Sequence, residues 1–335
     1  MRLLILGGGG FLGYHAVVAG LDAGHQVTVF TRSGKPPVEG VEVLVGDRRD
    51  DLGALRGHEW DAVFDTFSDP TTDDDGYAAP AVRATAELLS GAVGAYGYVS
   101  GMSVYAPSGP AVPDESGPVR RAGVEPDSDR LQERSLAKLA GEAGVTELFD
   151  GPALFPRVGI MVGPRSRRFT CWPLRFAGIA PGTYPRRVLV PGDPSRPVQF
   201  SDARDIAAWS LSMLAAGRGG TYNTVGPGRP EPLSAVLQAC IDAAGATDVE
   251  LITVADEDFL RAELDDVDEE DRPLWYPEDQ IPQDAIDSSA AAAAGLVFRP
   301  TSETAIDTLR WAQEAGATEL TDTFVPREQA ILSRV

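Results

Sequence analysis

Four consecutive glycines, Gly7-Gly8-Gly9-Gly10, follow the apolar run Leu3-Leu4-Ile5-Leu6, and Phe11-Leu12-Gly13 comes directly after them. No other stretch restricts the fold as much. Gly7, Gly10 and Gly13 keep a G-x-x-G-x-x-G spacing. Arg2 to Leu6 reads as a buried strand, and the residues from about Phe11 to Ala23 carry a helical apolar pattern. Glycine permits the tight turn between two such elements and lets backbone come close to whatever lies above it. The helix N-terminus offers unpaired N–H groups and the positive end of the helix dipole. Strand, glycine turn and helix in this order suit a dinucleotide pyrophosphate, the alternative being a purely structural turn.

The first half of the chain continues the alternation. Gln26 to Thr31, Val41 to Val45, Asp61 to Thr66 and Ala95 to Ser100 read as strands, with an alanine-rich helix over about Ala78 to Ala92. Leu131 to Ala143 reads as a helix and Pro152 to Val162 as a further buried strand. Such alternation predicts an α/β protein with a Rossmann-type, doubly wound parallel sheet. Beyond Gly163 prolines recur at 164, 173, 181, 185, 191, 194 and 197 and the pattern loosens. Helical patterns return at about Asp205 to Ala216, Leu233 to Ala244, 256–272 (acidic) and Ala290 to Ala294. The expected division is a dinucleotide-binding core over 1–164 and a smaller, mixed substrate-binding region over 165–335, with 198–225 returning to the core. The loop 106–130 and the segment 165–200 are candidate lids.

Composition narrows the partners. Fifty acids against 29 bases give a net charge of −21, which argues against nucleic acid and against an anionic membrane surface. No apolar run approaches the roughly 20 residues of a membrane span, and the first strand is too short for a signal-peptide core. Cys171 and Cys240 are too few for a disulfide scaffold, and His15, His25 and His58 share no metal-ligand spacing. The expectation is a soluble, cytoplasmic, metal-free protein acting on a small molecule, of unknown oligomeric state.

Cofactor choice should be written at the end of the second strand, where an acid favours NAD. This chain has Thr31-Arg32-Ser33-Gly34-Lys35 instead. A guanidinium and an ammonium fit a 2′-phosphate, so NADP(H) is expected; the alternative is that Arg32 stacks beside the adenine or is solvated. Gly46-Asp47-Arg48, after the third strand, is placed to meet the adenine ring.

These motifs resemble the extended short-chain dehydrogenase/reductase family, which includes nucleotide-sugar epimerases and dehydratases. The resemblance runs over most of the chain. It rests on the glycines, on Gly46-Asp47, and on Val99-Ser100-Gly101-Met102-Ser103-Val104-Tyr105. It continues through Lys138 with Glu142, through Val162-Gly163-Pro164, and through Val198-Gln199-Phe200-Ser201-Asp202-Ala203-Arg204-Asp205. It implies a cofactor site formed by Gly7, Gly10, Phe11, Leu12, Gly13, Thr31, Arg32, Ser33, Asp47, Arg48, Thr66, Phe67, Ser100, Lys138, Val158 and Ile160.

Active members of that family carry a Ser or Thr, a Tyr and a Lys, the last two as Y-x-x-x-K. Here the serine position falls on Gly101, the tyrosine position on Arg134 and the lysine on Lys138. A guanidinium stays protonated at ordinary pH and cannot replace a phenol as acid. No tyrosine occurs between Tyr105 and Tyr184 to offer another register. Lys138 keeps a role toward the nicotinamide ribose, the alternative being a solvated helix lysine.

The resemblance to triad-lacking members in antibiotic pathways implies a ketoreductase acting on a polycyclic aromatic polyketide. The proton would come from a phenol beside the substrate ketone, from water, or from a protein hydroxyl, with Ser103, Tyr105 and Ser68 as candidates. Ser68, Met102, Ser103, Tyr105, Met161, Phe169, Trp172 and Phe200 form the expected substrate site, and Phe67, Trp275 and Tyr276 could add apolar walls; each aromatic reads equally as core packing. Two alternatives stand beside this one: a non-catalytic NADP-sensing regulator, and a nucleotide-sugar epimerase or dehydratase.

Overall fold

A computed structural model of the chain describes residues 1–67, 72–73, 76–77, 79–106, 114–121, 130–264, 274–275, 286–317, 322 and 324–335. The chain falls into two compact units. The first comprises 1–159, 203–228 and 285–297, and the second 160–202, 229–284 and 298–335. The boundary expected at 164 thus lies at 159, and the returning segment is 203–228, joined by 285–297.

The first half supplies β1 (Arg2–Leu6), α1 (Phe11–Asp22), β2 (Gln26–Thr31), β3 (Glu42–Val45), β4 (Ala62–Asp65), α2 (Pro80–Leu89), β5 (Tyr96–Tyr98), α3 (Arg130–Leu148) and β6 (Ala153–Val158). There follow α4 (Arg167–Ala177), β7 (Arg187–Pro191), α5 (Ala203–Ala215), β8 (Gly220–Thr224), α6 (Leu233–Ala244), β9 (Glu250–Val254), α7 (Glu257–Leu264), α8 (Thr301–Ala315) and α9 (Phe324–Leu332).

In the first unit seven parallel strands run in the order β8-β6-β5-β4-β1-β2-β3. This is the doubly wound order, which reverses direction beside β1 and places ligands beyond the C-terminal strand ends there. The register pairs Leu6 with Phe30 on one side and with Asp65 on the other. That brings the glycine turn, the end of β2 and the end of β4 together. Strands β1 and β4 are apolar runs because parallel strands are covered on both faces; Leu3, Leu4, Ile5, Leu6, Val63 and Phe64 have no exposed surface.

The expected strand from Pro152 to Val162 is two pieces. Strand β6 ends at Val158, and Met161–Val162 pairs instead with Ser201–Asp202 in the second unit. Gly159 stands at this break, where a Cβ would come within 3.0 Å of the Val225 side chain.

In the second unit α4, α6 and α8 pack on one another, and β7 pairs in parallel with β9. Five elements here, α4, β7, β9, α8 and α9, escaped the sequence reading. Pro173 inside α4 hides a helix with a strongly apolar face. The pair Arg175–Glu328, 2.8 Å apart, is wholly buried, and Glu328 also accepts a hydrogen bond from the Leu189 amide at 3.1 Å. Burial pushes the Glu328 carboxyl up, against the pull of Arg175. No helix among the described residues is long and apolar enough to cross a membrane.

Candidate functional site

The glycine turn is built by close approach. Gly7 adopts φ +91°, and a Cβ there would lie 2.5 Å from Thr66 Oγ1. A Cβ on Gly13 would lie 2.2 Å from the Gly7 carbonyl oxygen, and one on Gly8 would strike Val29. Gly10 closes the turn by donating its amide to the Gly7 carbonyl at 3.0 Å. A Cβ on Gly9, by contrast, would meet nothing within 4 Å. Helix α1 starts after Gly10 with no side-chain cap and no acid in its first turn, so its first amides and dipole are not neutralised by the protein. This cradle fits a pyrophosphate. Thr66, expected at the cofactor, instead donates its hydroxyl to the Leu6 carbonyl at 2.9 Å and so supports the turn from below. Leu12 is buried, whereas Phe11 is half-buried with its ring edge-on to His15.

At the end of β2 the Thr31 and Ser33 hydroxyls lie 3.3 Å apart, and Ser33 Oγ accepts the Lys35 amide at 3.2 Å. The Arg32 side chain is 81% exposed, with only a loose 3.9 Å contact to Asp47. Asp47 itself accepts the Arg49 amide in a local turn.

Arg48 corrects the sequence expectation. Its guanidinium turns inward and is buried against Asp65, with Thr85 Oγ1 at 3.0 Å and the Phe67 ring at 4.7 Å. Asp65 also accepts hydrogen bonds from the Tyr96 hydroxyl at 2.8 Å and from the Phe67 amide at 2.9 Å. Burial is the largest influence and opposes the Arg48 charge, but the charge and hydrogen bond of Asp65 together with Tyr96 and Tyr98 raise the pKa. The Tyr96 phenol is pushed well up, first by burial and then by Asp65.

Lys138 lies next to this cluster. Its Nζ donates to the Val99 carbonyl at 2.7 Å and to the Phe67 carbonyl at 3.1 Å, and it lies 5.0 Å from the Tyr98 ring centre. It is not a solvated helix lysine. Burial lowers its pKa from 10.5 to about 8, although the Asp65 charge pulls the other way. The partner carbonyls belong to the chain just after β4 and just after β5, so Lys138 ties together the two strand ends that border the site. Ser100, beside them, is buried, and its hydroxyl has no hydrogen-bond partner among the described residues.

Tyr105 is not available as a substrate-facing acid. Its hydroxyl donates to Asn223 Oδ1 at 2.6 Å and accepts from Arg157 at 3.1 Å. Arg157 in turn grips Glu142 through two nitrogens at 3.0 and 2.8 Å. Glu115 accepts the Asn223 amide at 2.7 Å. Burial raises the Tyr105 pKa despite Arg157 and Asn223. The tyrosine is a strut between α3, β6 and β8. Part of the expected lid is equally fixed: Ala106 donates to the Pro118 carbonyl at 2.8 Å and Arg120 to the Val104 carbonyl at 2.8 Å. The rest of 106–130 lies largely outside the described residues, as do Ser68 and Tyr276.

Gly101 is extended and pairs with Val158 at the end of β6. Arg134 is exposed on α3, one turn before Lys138. Met102 and Ser103 are half-buried in the turn that follows Gly101.

The aromatic wall expected of the second unit is core instead. Phe169 and Trp172 have no exposed surface and Phe200 has 5%. They pack with one another and with Phe176, the Phe169 and Phe200 rings 5.7 Å apart and the Trp172 ring stacked on Phe176. Trp275 belongs to another core cluster with Leu189 and Val254. Met161 is half-buried beside the strand break, and the Ile160 carbonyl accepts the Ser201 amide at 2.9 Å while its side chain packs on the Trp172 cluster. The sequence reading missed Asp65, Thr85, Tyr96, Arg157 and Asn223. The one available signal was an acid ending the apolar strand Ala-Val-Phe-Asp, where only a buried partner makes a carboxylate tolerable.

No protein-family model matches the chain, and no curated protein matches it in sequence. Solved structures match it in fold. The enzyme WbmG of Bordetella bronchiseptica, solved with NAD and UDP, gives a TM-score of 0.66 at 22% identity, covering 96% of this chain and 97% of that one. UDP-glucuronic acid 4-epimerase from Bacillus cereus, solved with NAD, gives 0.65 at 16% identity over 94% and 99%. TunA, an NAD-dependent NDP-hexosamine 5,6-dehydratase of tunicamycin biosynthesis, gives 0.65 at 18% identity over 93% and 98%. At these identities the likeness shows the α/β fold with its seven-stranded, Rossmann-ordered parallel sheet.

Proposed function

We propose that the protein is an NADP(H)-dependent ketoreductase that reduces a ketone on a polycyclic aromatic compound without a tyrosine acid. The observation that carries this reading is the pairing of an intact dinucleotide cradle with an acid position occupied by the exposed Arg134. The structural neighbours that were solved with NAD support a nicotinamide cofactor in this fold. When bound, the reduced nicotinamide supplies the hydride that turns the ketone into a secondary alcohol. The first-turn amides of α1 hold the pyrophosphate, and Arg32 with Ser33 and Lys35 holds the 2′-phosphate. Lys138, kept in place by the Phe67 and Val99 carbonyls, presents its remaining N–H to the ribose. The proton on the product oxygen comes from a phenol next to the substrate ketone or from water.

Magnitudes allow this. Losing a general acid forfeits about 10²–10⁴ in rate, whereas proximity and orientation contribute roughly 7–11 kcal/mol. A second reading, action on a nucleotide-linked sugar, is favoured by Arg165, Arg167 and Arg168 around the start of α4 and by the nucleotide-sugar names of the neighbours. It is the weaker reading because a group to remove the sugar hydroxyl proton is missing at 134.

The test is NADPH oxidation, followed at the nicotinamide absorbance, with hydroxylated anthraquinones and naphthoquinones and with UDP-sugars. Oxidation with the quinones supports the reading, and conversion of a UDP-sugar in the presence of NAD supports the second. Tight NADPH binding with no turnover on either panel identifies a cofactor-sensing regulator.

A further inference from the structure

We propose that the hydroxyl of Ser103 donates the protein's hydrogen bond to the reacting oxygen of the substrate, in the space left by the missing side chain at Gly101. The inference rests on the ketone-reducing reading above and names the group that reading left open.

Reaction in an open parallel sheet takes place beyond the C-terminal strand ends. The described hydroxyls at this edge are few, and most are committed. Thr66 donates to Leu6, and Tyr105 is held between Asn223 and Arg157. The Ser100 hydroxyl is sealed from solvent. Lys138 uses two of its three protons on backbone carbonyls. Ser103 differs, because it is half-buried and no described residue hydrogen-bonds to its hydroxyl.

Its position fits the role. A Cβ built on Gly101 would lie 3.7 Å from Ser103 Oγ and 3.5 Å from the Val158 carbonyl oxygen, with nothing nearer. The Ser103 hydroxyl therefore borders the volume that a side chain at 101 would fill. The turn Met102–Val104 that carries it is clamped: Arg120 donates its Nε to the Ser103 carbonyl at 2.9 Å and its amide to the Val104 carbonyl at 2.8 Å. A donor fixed before reaction stabilises the charge that develops on a carbonyl oxygen as hydride adds to its carbon. Ser103 keeps its own proton throughout. The proton that completes the alcohol still comes from the neighbouring phenol or from water.

The geometry offers a rescue experiment, since Gly101 is extended and both Cβ contacts are ordinary van der Waals distances. The unsubstituted chain, Ser103→Ala, and Gly101→Ser combined with Ser103→Ala are compared in NADPH oxidation with hydroxylated anthraquinones. NADPH affinity is measured separately by fluorescence, and the visible band of a hydroxylated anthraquinone bound beside NADP⁺ reports hydrogen bonding to its carbonyl. Ser103→Ala is expected to lower kcat about 10²-fold, the scale of one lost oxyanion donor, with NADPH affinity unchanged and the bound-quinone band shifted. The double variant is expected to recover most of both. Full activity in Ser103→Ala overturns the inference and leaves the reduction standing. A loss that Gly101→Ser does not recover marks a structural serine and also overturns it. Absence of any NADPH oxidation by the unsubstituted chain overturns the reading and the inference together.

Discussion

Arg48 and Asp65 form an ion pair in which the arginine side chain is 7% exposed and the carboxylate not at all. Tyr96, Thr85 and the Phe67 amide add hydrogen bonds to the pair, while the buried Arg48 Nε has no partner among the described residues. A buried charge stripped of its partner is costly, so Asp65→Asn is expected to destabilise the chain by roughly 3–5 kcal/mol. Urea denaturation measures this. The preference between NADPH and NADH is expected to stay the same, because the Arg48 guanidinium faces inward.

Arg32 is the opposite case. It is exposed, and its contact with Asp47 contributes little to stability. Arg32→Asp is expected to weaken NADPH binding about 10–100-fold, the scale of one charge-assisted hydrogen bond. NADH binding is expected to change little. Titration calorimetry with both cofactors decides it, and equal losses for the two would sink the assignment of Arg32 to the 2′-phosphate.

Gly13→Ala tests the cradle. Alanine is preferred to glycine inside a helix by up to about 1 kcal/mol. Here the new methyl would lie 2.2 Å from a backbone oxygen that cannot swing away. Loss of dinucleotide binding is expected, with a lowered Tm. Gly9→Ala, whose Cβ meets nothing, is expected to keep the parent Tm.

Lys138 sets a pH dependence of stability. Burial lowers its pKa from 10.5 to about 8. Between those values the unfolded chain holds a proton that the folded chain has released, so this residue makes the fold more stable as pH rises through that window. Above about pH 10 the raised Tyr96 acts in the opposite sense, since its phenol ionises first in the unfolded chain. Lys138→Met is expected to flatten the rise from about pH 8 to about pH 10 in urea midpoints. An unchanged slope would show that the amine titrates normally.

Arg134→Ala tests the proposal that no side-chain acid serves the reaction at position 134. The side chain is exposed, and a guanidinium offers hydrogen-bond donors but no acid. The variant is expected to retain at least about a third of the parent kcat, since lost acid catalysis would cost about 10²-fold or more. NADPH oxidation with the quinone that the parent reduces most readily checks this.

The site was legible wherever chemistry is local. The Gly7 to Gly13 spacing, the basic end of β2 and the absence of a hydroxyl at Gly101 and Arg134 are all visible in the sequence, and each corresponds to a described feature of the first unit. Arg48 was misplaced because a sequence shows an arginine after a strand but not that Asp65, on another strand, would draw it inward. Tyr105 was misplaced for the same reason, its partner Asn223 lying 118 residues away.

The amino-acid order by itself determined the alternation of strand and helix and the glycine turn. Both rest on neighbouring residues, through side-chain periodicity and glycine's lack of a Cβ. Only the tertiary structure decided which polar groups face the site and which are buried as struts, and which aromatics are core. Phe169, Trp172 and Phe200 could have lined a pocket as readily as filled an interior, and close packing against Phe176, Leu237 and Cys240 made them interior. Burial and pairing are properties of segments distant in sequence, so the residues alone left them open.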